Sequence, residues 1–578
     1  MRSYLSDLRM LLRGCAGRLA TAFVLFAGSA AMDLACMAVL PVFVLVALSP
    51  DASRLPAWLQ AAFGEISPAA FSAGVAALFL ARAALMVVVG SKLSEVAEWV
   101  RRRIVERLVA LWLATPYEAA IRQSASAEIT AATNHSIVFS LHVVVPLLRL
   151  ALDVLTAIAV LAFVARLEPQ AVLASALVFS AVGVAYYAGI RGRTARHGRR
   201  IAVLQGELHH HLSQALNSPR EVRVYGLQPY FSARIGENLA GTGAAQAWLG
   251  GAYWFPRALG ELTLIGLAIG YMLLKSSSGT ESLLVVSNLS VLAFAGVRLL
   301  PAFAQGMANV GYIQGGRATA RILADMLRAP GPADPLPQRA PDPMGQRVEP
   351  FDSLVLQRVS FRYTGASADA LRDVSLSIRR GESVGVVGPS GAGKSTLGDL
   401  LLGLLVPASG QILLNGRPAT LDSARWWNQA GFVPQLPYIA NDTLLRNIAY
   451  GVPDRDIDLA LVGRALRLAQ LEPVVAGLPG GLETVLGDHG MRLSGGQRQR
   501  LAIARALYRQ RDFLVLDEAT SALDEETERE VIRSIEALKG TVTTFIIAHR
   551  VSTLRNCDFI VELRDGAVAD VRAPAAAL

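Results

Sequence analysis

Nine consecutive residues, Gly388, Pro389, Ser390, Gly391, Ala392, Gly393, Lys394, Ser395 and Thr396, have the types and spacing of a phosphate-binding loop. Glycines there let backbone N–H groups close on phosphate oxygens, and the N-terminus of a following helix favours negative charge. Lys394 is expected to neutralise the β and γ phosphates of a nucleotide, and Ser395 to ligate magnesium. A second chemical signal is the apolar run from Phe513 to Leu516, which ends in Asp517 and Glu518. That order puts one carboxylate where it can hold magnesium and the next where it can polarise water, so Asp517 is read as the metal-side acid and Glu518 as the general base. An apolar run ending in two acids is ordinarily just a strand end; the phosphate loop upstream is what gives this one chemical meaning. ATP and magnesium are the expected cofactors.

These residues need a strand, turn and helix to hold them. The stretches VLQRVSFRY and ESVGVVG read as strands before the glycine-rich turn, and FLVLD as another buried strand, so residues 351–578 read as an α/β P-loop domain. Before it, residues 329–350 run APGPADPLPQRAPDPMGQRVEP, rich in proline and without hydrophobic period, as expected of a semi-rigid linker.

Residues 1–328 are different in kind. The chain is 53% hydrophobic and 17% charged with a mean hydropathy of +0.40, too apolar for a soluble protein of 578 residues. Six apolar runs, residues 19–49, 68–89, 137–164, 171–190, 248–274 and 283–310, are each about 20 residues or more, the length that crosses a hydrocarbon core. The expected fold class is therefore a multi-domain membrane protein: a six-helix all-α transmembrane domain, a linker and an α/β nucleotide-binding domain. The first run exceeds the core of a cleaved signal and reads as a retained helix. Arginines crowd the N-terminus, residues 91–135, 191–247 and the region after Arg317, which places both termini in the cytoplasm of a bacterial-type inner membrane. The net charge of +9 thus reads as topology-setting rather than as a nucleic-acid surface. Residues 55–63 could lie amphipathically at the outer surface or form an ordinary loop. Cys15, Cys36 and Cys557 have neither metal-ligand nor disulfide spacing, and His209, His210 and His211 point in different directions on a helix, so neither set suggests a metal site.

Leu493-Ser494-Gly495-Gly496-Gln497, about 20 residues before the FLVLD strand, resembles the signature of ATP-binding cassette (ABC) proteins. The resemblance implies that Tyr363 stacks on adenine, that Gln435 senses magnesium and the attacking water, that Ser521 to Asp524 form the loop after the base, and that His549 contacts the γ-phosphate. It implies that Ser494, Gly495, Gly496 and Gln497 contact nucleotide held by the phosphate loop of a second cassette. One chain carries one loop and one signature, so a dimer is implied: a homodimer, since Glu518 and His549 are both present, with a heterodimer as the alternative. A membrane domain fused N-terminally to its cassette is similar to the exporter branch, in which the stretches around 115–123 and 212–231 would dock on cassettes. Gly487-Asp488-His489-Gly490 departs from that branch's usual Gly-Glu-x-Gly.

Charges inside the apolar runs are costly unless paired or facing a cavity. Arg149 with Asp153, and Arg257 with Glu261, are four apart and able to pair on one helix. Arg82 and Arg298 have no such local partner. The surroundings of Arg82, Arg257 and Arg298 resemble flippases of lipid-linked oligosaccharides, which makes these three candidate ligands of a cargo pyrophosphate. The resemblance therefore implies an ATP-hydrolysing exporter or flippase of an amphipathic, anionic lipid-linked cargo. Lipid, drug or peptide export, and a non-transport membrane ATPase, remain the competing readings.

Overall fold

The computed structural model describes residues 2–48, 68–123, 125–166, 169–277, 282–328, 349–419, 424–487, 490–519, 525–548 and 550–574. The proline-rich stretch 329–348 and the loop 55–63 lie outside the described residues. The chain divides into two compact units, one of Met1–Leu113 with Ser124–Pro330, the other of Ala114–Gln123 with Gly331–Leu578.

The first unit is helical. Among the described residues its long helices are Ala16–Leu48, Pro68–Ala114, Pro169–Asn217, Gln228–Ser277 and Ser282–Gly315, with a sixth, broken rod between the second and third of these. Three stretches, Ala16–Val39, Ala69–Ala114 and Ser126–Val164, are long and apolar enough to cross a membrane among the described residues. Of the six expected crossings, the fourth contains the shorter apolar stretch Ser175–Ile190. The last two fall in Gln228–Ser277 and Ser282–Gly315. Leu80, Met86, Val87, Leu177, Leu262 and Ile265 are exposed on these rods. An apolar outer face of that extent suits hydrocarbon rather than water. The helices close tightly where side chains are smallest: a Cβ at Gly198 would stand 2.5 Å from the carbonyl oxygen of Gly315.

The broken rod departs from α geometry twice, at the π-turns Ala131–His135 and Ser140–Val144, before continuing as Val145–Ala165. A π-turn displaces carbonyls from their usual partners. Here Thr130 Oγ1 donates to Ser126 O at 2.7 Å, Thr133 Oγ1 to Ile129 O at 2.7 Å and Ser136 Oγ to Ala132 O at 2.5 Å, so hydroxyls serve the backbone where the helix loosens. Arg2–Leu11 packs on Arg317–Arg328, where Asp7 pairs with Arg328 and the Arg317 guanidinium lies 4.9 Å over the Tyr4 ring.

Among the described residues the second unit holds ten strands: β1 Ser353–Phe361, β2 Leu371–Arg379, β3 Ser383–Val387, β4 Ser409–Leu414, β5 Arg417–Pro418, β6 Ala430–Val433, β7 Phe513–Asp517, β8 Thr543–Ile547, β9 Phe559–Arg564 and β10 Ala567–Arg572. They form an antiparallel sheet in the order β2-β1-β4-β5 and a six-stranded sheet in the order β10-β9-β3-β8-β7-β6. Within the second sheet β9, β3, β8, β7 and β6 are parallel neighbours. β3, β7 and β8 are buried almost throughout, as expected of parallel strands covered on both faces. Phe351, Trp426, Phe513 and Phe545 fill one core, and Leu501, Ile503, Tyr508, Leu514 and Ile546 another. In open parallel sheets, ligands are taken at the carboxyl ends of the strands, and the residues singled out above gather there.

Candidate nucleotide site

β3 ends at Val387 and the helix Lys394–Leu401 begins seven residues later, so the loop between them spans Gly388 to Gly393. Gly388, Gly391 and Gly393 have φ of 153°, 81° and 96°, all in the range that disfavours a side chain. At Gly388 the constraint is also spatial, since a Cβ would stand 2.2 Å from Leu563 O. Pro389, Ser390 and Ala392 complete the turn, with Ala392 N donating to Pro389 O. Lys394 is 6% exposed, and its ammonium donates to Gly388 O at 2.8 Å and Pro389 O at 3.1 Å, curled back over the loop it follows. Ser395 is exposed and Thr396 buried. The Tyr363 hydroxyl lies 3.2 Å from Thr396 Oγ1, which ties the expected adenine platform to the loop helix.

The register of the sheet brings the acids beside the loop. Ile547 of β8 stands opposite Val386 of β3 on one side and Asp517 of β7 on the other. Two strand spacings, roughly 10 Å, therefore separate the levels at which the loop and the acids leave the sheet. Glu518 has φ 48° and its N–H donates to Ile547 O at 2.9 Å, so a left-handed residue turns the chain sharply as β7 ends. Its carboxylate accepts from Gln435 Nε2 at 2.8 Å. Glu518 and Gln435 are thus together. His549, Ser521 to Asp524, Asp488 and His489 lie outside the described residues.

Asp399, one helical turn past Ser395, went unremarked in the sequence although the spacing puts both on one face. Burial, and then the neighbouring charge of Asp517, push its carboxyl up from 3.8 to about 6. The folded state therefore keeps this proton up to about pH 6, whereas the unfolded chain loses it near pH 4. The native state binds more protons in that window, so stability falls as pH rises from about 4 to 6 and stays lower above it. Asp399→Asn is expected to raise the melting temperature at pH 8 and to change it little at pH 4. An equal gain at both pH values would remove titration as the cause.

The signature residues open the helix Gly495–Tyr508. Ser494 caps it, accepting from Gln497 N at 3.3 Å, while Gln497 Oε1 accepts from Ser494 N at 2.9 Å. Each side chain thus uses an acceptor to hold the helix start, and the Ser494 hydroxyl and Gln497 amide N–H groups remain as donors beside the backbone of Gly495 and Gly496.

The second unit also contains the short segment Ala114–Gln123. Glu118 Oε1 accepts from Thr364 N at 2.6 Å and from Arg122 at 3.0 Å, and Arg122 Nη2 donates to Thr364 O at 2.5 Å. One acid–base pair thus takes both backbone groups of the residue after Tyr363. Burial raises the titration of the adjacent Tyr117 phenol, as do the charges of Asp399, Tyr363 and Asp517. This is the stretch around 115–123 that the family resemblance expects to dock on a cassette, and Glu118 and Arg122 are the residues by which it holds Thr364.

Among the arginines of the first unit, Arg82, which has no partner at helical spacing, finds one on another helix. Its Nε donates to Asp33 Oδ1 at 2.5 Å, 49 residues away. The packing of two helices supplies a partner that helical spacing along one chain segment cannot reveal. Arg257 pairs with Glu261 at 3.2 Å, the local alternative, whereas Asp153 accepts from Asn309 Nδ2 at 3.2 Å. The side chain of Arg298 lies outside the described ones.

Residues 371–521 match the family model described as ABC transporter. Two relatives carry the name ATP-dependent lipid A-core flippase. The one from Cupriavidus metallidurans is 53% identical over 222 residues, 38% of this chain and 37% of its own length. The one from Chromobacterium violaceum is 35% identical over 367 residues, 62% of this chain and 60% of its own. The chain thus spans between about a third and three fifths of the length of these curated relatives. Among solved structures, a bacterial Atm1-family ABC exporter with ATP bound matches with a TM-score of 0.79 at 22% identity, over 98% of this chain and 96% of that one. Loop, paired acids, signature and overall fold agree: the C-terminal unit is an ABC transporter domain, on a chain with the fold of an ABC exporter.

Proposed function

We propose that this chain is an ATP-hydrolysing exporter that works as a dimer and moves an amphipathic lipid with an anionic headgroup from the cytoplasmic leaflet of a bacterial inner membrane. The observation that carries it is the convergence of Lys394, Asp517 and the Gln435–Glu518 pair on one edge of a parallel sheet, in a chain whose other unit presents lipid-compatible helices. In this reading Lys394 and the loop N–H groups hold the nucleotide phosphates, Tyr363 stacks the base, and Glu518 takes the proton of the attacking water that Gln435 orients. Ser395 and Asp517 are hard oxygen donors of the kind magnesium prefers, and would hold it. That ion would neutralise charge on the phosphates. His549 contacts the γ-phosphate, and the signature completes the site of a second copy, because one loop and one signature per chain make a whole site only in a pair.

The names of the relatives favour a glycolipid with phosphates on its headgroup as cargo. Lipid-linked oligosaccharide is the comparison cargo, since Arg82 and Arg257 already have acidic partners here. ATP-dependent flipping of fluorescent lipid A, lipid-linked oligosaccharide and a neutral lipid in proteoliposomes tests this. Flipping of lipid A alone, lost in Glu518→Gln, supports the glycolipid reading; ATP hydrolysis without flipping of any of the three would sink it.

The Arg82–Asp33 pair separates a cargo role from a structural one. Asp33 is 11% exposed, so Arg82→Ala leaves a nearly buried carboxylate without this cation. Transport is expected to fall in Arg82→Ala and to return in Arg82→Ala/Asp33→Ala if the arginine serves only Asp33. Transport absent from both variants, with normal ATP hydrolysis, would make Arg82 a ligand of the anionic headgroup.

A further inference from the structure

The helix Gly495–Tyr508 attaches the signature to the rest of the second unit, and one of its side chains reaches the hydrolytic residues. Gln499 is 4% exposed, and its Nε2 donates to Gln435 O at 2.7 Å and to Pro434 O at 3.2 Å. The residue whose backbone it holds is the one whose side chain donates to Glu518 at 2.8 Å. Farther along the helix, Arg505 Nη1 donates to Tyr438 O at 2.9 Å, so the loop leaving β6 is fastened to one helix at two points. The other half of the Gln499 amide is unusual, because Oε1 is buried without a hydrogen-bond partner among the described residues. An orphaned buried acceptor carries a cost that an apolar side chain of similar size would avoid. What a glutamine offers there, and a leucine does not, is the pair of bonds to the loop.

We propose that Gln499 is a positioning residue for ATP hydrolysis. It fixes the backbone of Pro434 and Gln435 so that the Gln435 amide meets Glu518, and it makes any shift of the signature helix a shift of Gln435. Gln499 touches neither Glu518 nor the phosphate loop by any hydrogen bond among the described residues, and acts through Gln435. The proposal rests on the hydrolytic reading of Gln435 and Glu518 given above.

ATP turnover by the full-length protein in lipid nanodiscs tests it, comparing the native chain with Gln499→Leu, Gln499→Asn, Gln435→Ala and Gln435→Ala/Gln499→Leu. Gln499→Leu should lower kcat about tenfold, the worth of one well-placed hydrogen bond, with KM for ATP within about twofold of native. Gln499→Asn keeps the donor on a shorter arm and should fall between the two; it also serves if the leucine variant does not fold. The double variant should be no slower than Gln435→Ala alone, because a residue acting only through its partner adds nothing once that partner is gone. Native kcat in both Gln499 variants, a rise in KM with kcat intact, or multiplicative losses in the double variant would each overturn the proposal. A native protein that binds ATP but does not hydrolyse it would instead defeat the hydrolytic reading, and this proposal with it.

Discussion

Glu518→Gln is expected to slow ATP hydrolysis by about 10²–10⁴-fold, the span usual for loss of a general base, while ATP binding survives. Two features make the loss that large. Glu518 is placed by the backbone itself, with its N–H on Ile547 O and its φ of 48°, so no neighbouring acid can occupy the same position by a rotamer change. Its carboxylate already accepts from Gln435 at 2.8 Å, and an amide in its place has the same outline but cannot take a proton from water. Binding survives because Lys394, the loop glycines and Tyr363 are untouched. Phosphate release and the affinity for a fluorescent ATP analogue, measured on one preparation, separate the two effects. Hydrolysis within about threefold of native would place the base elsewhere.

Gly388→Ala is expected to abolish ATP binding and to destabilise the second unit by about 3 kcal/mol or more. The methyl would meet Leu563 O, a backbone atom of β9 that cannot swing aside as a side chain could, and at a φ of 153° that L residues avoid. Relief requires either the loop or β9 to move. Movement of the loop takes Gly388 O away from Lys394 Nζ and the loop N–H groups away from phosphate. Gly391→Ala is the control, since a Cβ there meets nothing within 4 Å and only the φ of 81° is strained. The expected order is a small loss of melting temperature and affinity for Gly391→Ala and a collapse of both for Gly388→Ala. Equal, small effects would show that β9 yields easily.

What the sequence revealed of this site was what lies close along the chain. Gly388 to Thr396, and the acids ending β7, are local patterns whose strand and helix flank them within a few residues, and the sheet register then brings them side by side. Gln435 and Glu518 meet across 83 residues, and a family resemblance, not any spacing in the chain, singled out Gln435. Contacts made only by packing stayed hidden. The partner of Arg82 is 49 residues away on another helix, and the resemblance that docks residues 115–123 on a cassette does not say that Glu118 meets Thr364, 246 residues on. Gln497 carries a contact that its place in the signature did not announce: its Oε1 closes the cap of its own helix. The apolar runs marked where the long helices lie, but run length says nothing of internal winding, and so nothing foretold the two π-turns.

Those π-turns give the rod that ends in Val145–Ala165 a property the other long helices lack. Each spends one extra residue on a single turn, so the residues on either side of it are offset by about 100° from where an unbroken α-helix would put them. Two such turns add to roughly 200°, which makes the two ends of the rod face nearly opposite ways relative to their spacing in sequence. The rod is in effect a screw with two cut threads: with hydroxyls of Thr130, Thr133 and Ser136 at hand to receive a freed carbonyl, a single-residue deletion there would turn one end against the other by about a quarter revolution while leaving the rod whole.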